Sequence, residues 1–139
     1  MRNLFRLAAV GLVIACAAPA WAEDGKPSST LCDAKRLGAR ELAECLRAAS
    51  DKLDKELTEV VAAAVKSIDG RAGLMSGQKS RWKRSLNDAE SQWLAWRDSE
   101  CQDVAPFEAG MSSKGGDPRL SCLIDEDARR IADLKARYP

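Results

Sequence analysis

The chain contains no histidine among its 139 residues. Without imidazole it cannot form serine–histidine or cysteine–histidine nucleophile pairs or histidine zinc sites, and it lacks the commonest general base near neutral pH. An excess of charge of one sign is also lacking, because 22 Lys and Arg stand against 21 Asp and Glu, for a net charge of +1. That balance disfavours a basic groove for nucleic acid, since binding to phosphates needs an excess of cations. We therefore predict no catalytic site, no cofactor and no nucleic-acid partner.

Long hydrophobic runs are also missing. Residues 7–18 form an uncharged apolar stretch of about 12 residues, well short of the ~20 that span a bilayer as a helix. Two arginines precede this stretch and Ala20-Trp21-Ala22 follows it, which is the order of a secretory signal peptide. We predict a signal peptide over residues 1–22 and a periplasmic or secreted protein without a membrane span. In the alternative interpretation, Val13-Ile14-Ala15-Cys16 is a lipobox and Cys16 carries a lipid anchor.

Four cysteines remain in the mature chain, an even number in an oxidising compartment, which predicts two disulfides. Three pairings are open, and the local ones are favoured. A four-cysteine zinc site is the alternative, and the lack of a Cys-x-x-Cys knuckle disfavours it. The favoured pairs are Cys32–Cys45 and Cys101–Cys122.

Two segments have the apolar spacing of amphipathic helices. Between Leu42 and Ile68 apolar residues recur every three or four positions, and Asp69-Gly70 ends the stripe. A second stripe runs from Trp82 to Trp96. Its tryptophans are predicted to fill the core, with an exposed aromatic platform as the alternative. The short connection predicts that the two helices fold back on each other as an antiparallel hairpin.

A third amphipathic stretch covers residues 120–138, and no segment has the alternation of a strand. The predicted fold is all-α, a long antiparallel helical hairpin plus a shorter third helix, stapled by two disulfides. Residues 23–31 are predicted to be a flexible leader, and residues 32–139 the helical domain.

Several charged residues have candidate roles. Arg97 and Asp98 are adjacent on a helix, so their spacing does not predict an ion pair. We expect Arg97 to stack on an aromatic ring or bond a carbonyl near the disulfides, or else to be solvated. The run Asp125-Glu126-Asp127 is expected to complement the dipole of the third helix. A basic cluster is predicted to be a solvated face, with a small anion-facing patch as the alternative, and comprises Lys79, Arg81, Lys83 and Arg84.

An ordered set of short motifs resembles the lysozyme inhibitor LprI N-terminal-like family, over about residues 32–138. The resemblance implies a disulfide-bonded all-helical fold and an ability to inhibit lysozyme. The chain departs from the family pattern at three places, namely Glu90-Ser91-Gln92 before the tryptophan, Asp127 on the third helix, and Asp117 after the Gly-Gly pair. The motifs are Cys45-Leu46, Trp93-x-x-x-Arg97-Asp98-x-x-Cys101, Gly115-Gly116, Cys122-Leu123 and Arg130.

The leading hypothesis is an exported cell-envelope binding protein that inhibits lysozyme-type muramidases. These enzymes carry two carboxylates in an open cleft, so an inhibitor needs a rigid projection that presents donors or a cation. The alternative is a general periplasmic interaction or stress module without lysozyme affinity. An enzyme acting on cell-wall polymer is disfavoured, because no base, nucleophile or metal constellation is visible. The partner-binding residues are predicted on the Gly/Ser-rich loop between the last two cysteines, as Ser112, Ser113, Lys114 and Arg119.

Overall fold

The computed structural model describes residues 25–110 and 115–139, and within them it contains helices and no strand. The all-α prediction is confirmed. The predicted signal peptide and Cys16 lie outside the described residues. The helices are α1 (Pro27–Leu31), α2 (Ala39–Asp69), α3 (Ser76–Ser99), α4 (Ala105–Ala109) and α5 (Pro118–Arg137), with a π-helical turn (Glu100–Val104) between α3 and α4.

The longest helix, α2, has 31 residues and is therefore about 46 Å long at 1.5 Å per residue. At its start the Glu41 side chain accepts a hydrogen bond from the Gly38 N–H at 3.1 Å, which satisfies a backbone donor that the helix itself leaves unpaired. The helix ends at Asp69, as the Asp-Gly pair predicted.

Helix α3 returns antiparallel to α2. At the turn, Lys83 Nζ lies 2.7 Å from Asp69 Oδ1, whereas further from the turn Arg97 NH1 lies 3.2 Å from Asp54 Oδ1. Helix α5 runs antiparallel to α3, because the Trp82 indole N–H near the start of α3 donates to the hydroxyl of Tyr138, just beyond α5, at 3.3 Å. The hairpin plus third helix is therefore the observed architecture.

None of the helices in the described ranges is both long and apolar enough to cross a membrane.

The three long helices enclose a core in two parts. The part toward the hairpin turn is built from Leu57, Ala64, Ile68, Leu86, Ile131 and Leu134. The part at the disulfide end is built from Cys32, Leu42, Leu46 and Ile124.

The predicted flexible leader differs from the structure, because residues 27–31 form helix α1. Ser28 is buried, and its backbone N–H donates to Asp125 Oδ1 of α5 at 2.8 Å. A charge-assisted bond of this kind holds a short helix that propensity alone would not stabilise. Asp125 thus accepts a tertiary hydrogen bond in addition to lying near the start of α5.

Candidate functional site

Two disulfides close the end of the bundle opposite the hairpin turn. Cys32 is bonded to Cys45, and Cys101 to Cys122. The favoured local pairing is therefore confirmed. In the described part of the chain, no cluster of three His, Cys, Asp or Glu side chains could hold a metal ion.

The Cys101–Cys122 bond encloses the segment on which partner binding is predicted. Cys101 lies buried within the π-helical turn, and Cys122 lies in the second turn of α5. Gly110 ends α4 with a φ of 69°, a left-handed value that glycine adopts without strain. Ser112, Ser113 and Lys114 lie outside the described residues.

Gly116 packs the C-terminal side of this segment against α2. Its φ is 84°, and a Cβ built there would lie 2.7 Å from Leu46 Cδ1 and 3.1 Å from Leu42 Cδ2. Both the backbone conformation and the close approach therefore require glycine. At neighbouring Gly115 a Cβ would meet nothing within 4 Å. Gly116 is thus the member of the Gly-Gly motif that the packing needs.

Arg119 is the described member of the predicted partner-binding set, and it lies in the first turn of α5 and not in the loop where it was predicted. The Asp117 carboxylate caps α5 by accepting the Arg119 backbone N–H at 2.9 Å. The Arg119 side chain is exposed, and its Nε lies 3.5 Å from the carbonyl oxygen of Gln102. That distance is at the limit for a hydrogen bond, so the guanidinium keeps most of its donors for solvent or a partner.

Trp93 and three other motif residues form one charged cluster, in which Arg97 is buried. The Arg97 guanidinium lies 5.8 Å from the Trp93 ring centroid, and the Arg130 guanidinium lies 5.5 Å from it. Cations at this distance over an indole ring are attracted by its electron-rich face. The structure therefore brings together motif residues that lie up to 37 positions apart: Trp93, Arg97, Asp98 and Arg130.

Arg97 bonds three carboxylates. Its guanidinium lies 2.7 Å from Asp127, 2.9 Å from Asp98 and 3.2 Å from Asp54. The prediction that Arg97 and Asp98 do not pair was wrong, as was that of a carbonyl bond or a solvated arginine. Helical spacing describes Cβ positions, whereas the long arginine side chain folds back to reach the carboxylate of its neighbour. The expected stacking on an aromatic ring is confirmed by Trp93.

Burial and ion pairing have opposite effects on the pKa values of Arg97 and Asp127. Burial by itself lowers the pKa of Arg97, but its hydrogen bonds to Asp127, Asp98 and Asp54 outweigh burial and raise that pKa overall. Burial raises the pKa of Asp127, and the bond from Arg97 opposes that rise. Asp127 is 1% exposed, so its charge depends on Arg97 for compensation. Asp127 therefore does more than complement the helix dipole.

A second buried ion pair joins α3 to α5. The Arg130 guanidinium binds both carboxylate oxygens of Glu90, and Nε is 3.1 Å from Oε2. Such two-pronged pairing fixes orientation as well as distance. In the sequence, Glu90 stands out only as a departure from the family pattern. Glu90 lies four residues after Leu86, three before Trp93 and seven before Arg97, and this helical spacing was the signal that could have placed it on the buried stripe.

The prediction that the tryptophans of α3 fill the core was wrong for one of them. Trp82 and Trp93 pack against the core, whereas Trp96 is 48% exposed. Trp96 directly precedes Arg97 on the helix, and adjacent residues point about 100° apart. Because the stripe passes through Arg97, Trp96 is turned outward.

The basic cluster at the start of α3 is partly paired. Lys79 Nζ donates to the Asp69 carbonyl oxygen at 2.7 Å, and Lys83 Nζ to the Asp69 carboxylate at 2.7 Å. Both cations interact with the C-terminal end of α2, where the helix dipole favours positive charge. Arg81 and Arg84 are exposed, in keeping with a solvated face.

A titratable group beside the loop predicts a pH dependence of stability. Burial raises the pKa of the Glu126 carboxyl above its ordinary 4.5, Arg129 opposes this, and the carboxylates of Asp125 and Glu100 add to it. A raised carboxyl pKa in the folded state gives stability that is present below pH 4.5 and is lost as pH rises through the folded value. Glu126→Gln is expected to flatten this loss in urea unfolding between about pH 4 and pH 8.

The matched control for that experiment is Glu44→Gln. Glu44 pairs with Arg40 one turn away, as Glu126 does with Arg129, but its side chain is exposed. The control should keep the wild-type pH profile. Equal flattening by both variants would contradict the assignment to Glu126.

The fold and the cluster define a small all-helical domain that is closed by two disulfides and crossed by buried arginine–carboxylate pairs. The chain belongs to the lysozyme inhibitor LprI family, whose model matches residues 32–134. It is 31% identical over 135 residues to an uncharacterised protein of Rhizobium meliloti (strain 1021), with 91% of this chain and 90% of that protein covered. No solved structure matches the chain. The family resemblance predicted from the motifs is thereby confirmed.

Proposed function

We propose that this protein is an exported inhibitor of lysozyme-type muramidases and is not itself an enzyme. Membership of a family described as lysozyme inhibitors supports the proposal. The observation that carries it is the exposed Arg119 guanidinium on a backbone fixed from both sides. Gly116 packs against α2 on one side, and the Cys101–Cys122 bond lies on the other.

The chemistry of the target explains why such a cation matters. Muramidases place two carboxyl groups about the bond that they cleave. A guanidinium that enters this cleft makes charge-assisted hydrogen bonds to a carboxylate, and these are about twice as strong as neutral ones. A preorganised backbone loses little entropy when it docks. We propose that Ser112, Ser113 and Lys114 supply further hydrogen-bond donors to the same partner.

The proposed location is the periplasm or the exterior of the cell. Two disulfides are typical of oxidising compartments, and residues 1–22 have the pattern of a signal peptide. We propose cleavage after Ala22, with lipid attachment at Cys16 as the alternative.

Inhibition should weaken when the loop cations are removed. We expect Lys114→Ala combined with Arg119→Ala to change the free energy of unfolding by no more than about 0.5 kcal/mol, because Arg119 is exposed and single charges in a Gly/Ser-rich segment rarely contribute more to stability. Loss of a desolvated charge pair costs roughly 2–5 kcal/mol, so the inhibition constant should rise at least about tenfold. The assay measures turnover by goose, chicken and invertebrate lysozymes against inhibitor concentration.

The matched control is Arg81→Ala combined with Arg84→Ala, which removes two exposed cations from α3. It should inhibit like the wild type. Equal inhibition by the loop variant would show that the loop cations are not the contact, although the protein would remain an inhibitor. A wild type that inhibits no lysozyme in the panel would favour the alternative of a general periplasmic interaction module.

A further inference from the structure

An aromatic side chain stands out from the surface at the disulfide end. Phe107 on α4 is 86% exposed, more than any other large hydrophobic residue in the described ranges, and Val104 three residues earlier is also exposed. Helix α4 directly follows the π-helical turn, in which Cys101 is bonded to Cys122 of α5. The ring is therefore presented from a backbone that is covalently tied to the bundle.

Phe107 shares a groove with Arg119. This groove has a volume of about 520 Å³ and lies between the π-helical turn, α4 and the first turn of α5. The exposed ring and the exposed guanidinium thus border one concave surface, which a single partner can contact at both points. The groove is lined by Gln102, Asp103, Pro106, Phe107, Gly110 and Arg119.

Phe107 lies in an acidic segment of the chain, although Arg119 borders the same groove. Residues 100–110 contain Glu100, Asp103 and Glu108 and no Lys or Arg. Asp103 and Glu108 are both exposed. A complementary protein surface therefore has an apolar pocket edged by basic side chains, together with a carboxylate for Arg119.

We propose that Phe107 is the apolar anchor by which this protein docks on a muramidase, and that its acidic surroundings select an enzyme with basic side chains at the rim of its cleft. This inference rests on the proposed function and extends it from the loop to α4. Large aromatic residues that fill a pocket at the centre of an interface contribute most of the affinity, and the contacts around them exclude water. Arg119 and Phe107 then act as two points of one contact surface.

Phe107→Ser tests the anchor. The side chain is exposed, so the melting temperature should stay close to that of the wild type. We expect the inhibition constant of the purified exported protein to rise by about ten- to hundredfold, as for a truncated hot-spot aromatic. The matched control is Met75→Ser, since Met75 is 71% exposed and precedes α3 at the other end of the bundle. It should inhibit like the wild type.

Asp103→Lys combined with Glu108→Lys tests the charge argument. Reversing these charges should slow association with the inhibited lysozyme, and the wild-type rate should fall as salt is added. An association rate that is unaffected by both changes would overturn the proposed charge selection.

The outcomes separate this inference from the function on which it rests. If the wild type inhibits and Phe107→Ser inhibits equally well, the anchor is overturned and the inhibitor remains. If the wild type inhibits no lysozyme, both are overturned. Sedimentation equilibrium provides a further check, because a wild-type dimer that Phe107→Ser converts to a monomer would assign the ring to self-association and overturn the anchor.

Discussion

Arg97→Ala is expected to lower the free energy of unfolding by about 3–5 kcal/mol, the cost of leaving a buried charge without its partner. Asp127 is 1% exposed, and its carboxylate lies 2.7 Å from the guanidinium that the change removes. Asp54 and Asp98 lose a partner as well, but both are largely exposed and are solvated by water. The measurement is urea unfolding followed by circular dichroism.

The pH dependence distinguishes this cause from lost packing. Without Arg97, the pKa of Asp127 should rise further above its ordinary 3.8, because burial already raises it in the wild type. The folded variant then holds a proton more tightly than its unfolded chain, so its stability falls as pH rises. The deficit relative to the wild type should be largest near neutrality and should shrink toward about pH 4. A deficit that is independent of pH would contradict an uncompensated charge.

The control for Arg97 is Arg40→Ala. Arg40 also pairs with a carboxylate, Glu44, at 2.9 Å, but both side chains are mostly exposed. Exposed pairs of this kind contribute about 0.3–0.5 kcal/mol. Similar losses in the two variants would show that burial of the Arg97 cluster has no special energetic role.

Trp93→Ala should destabilise the protein by about 3–5 kcal/mol, the usual cost of truncating a core aromatic. The indole packs against the core between α2, α3 and α5, and the Arg97 and Arg130 guanidinium groups lie over its ring. Its removal therefore leaves a cavity and also takes a cation–π partner from the buried Arg97 and the partly buried Arg130. Thermal unfolding measures the effect, and inhibition should fail only where the variant unfolds.

The neighbouring tryptophan is the matched control. Trp96 is 48% exposed, and its ring centroid is 6.4 Å from that of Trp93. Trp96→Ala should cost much less stability, because the truncation opens no closed cavity. If Trp93→Ala kept its melting temperature but lost inhibition, Trp93 would be a contact with the partner and not part of the core.

The family motif residues have structural roles inside the bundle. Trp93, Arg97 and Arg130 are engaged with partners inside the bundle, and Gly116 packs on α2. They specify how α3 and α5 meet and how the loop is seated. In the proposed function, recognition of a partner is assigned to exposed groups such as Arg119, which lie outside that interior network.

Two buried charges were predictable in part. Asp127 lies three residues after Ile124 and four before Ile131, on the apolar stripe of α5. Glu90 likewise lies on the apolar stripe of α3, four residues after Leu86 and three before Trp93. The spacing alone could have placed them on the buried face, although Asp127 was expected only to complement the helix dipole. It did not name their partners, because Arg97 is 30 residues from Asp127 and Arg130 is 40 residues from Glu90.

The sequence by itself determined the three long helices and the end of α2 at Asp69, and it favoured the local disulfide pairs, because helical periodicity, turn residues and nearby cysteines are properties of short segments. Only the tertiary structure decided that Arg97 is buried among three carboxylates, that residues 27–31 form a docked helix, and that Phe107 and Arg119 share a groove. Each of these depends on which helix faces meet. Burial and pairing are set by that contact and not by spacing along the chain.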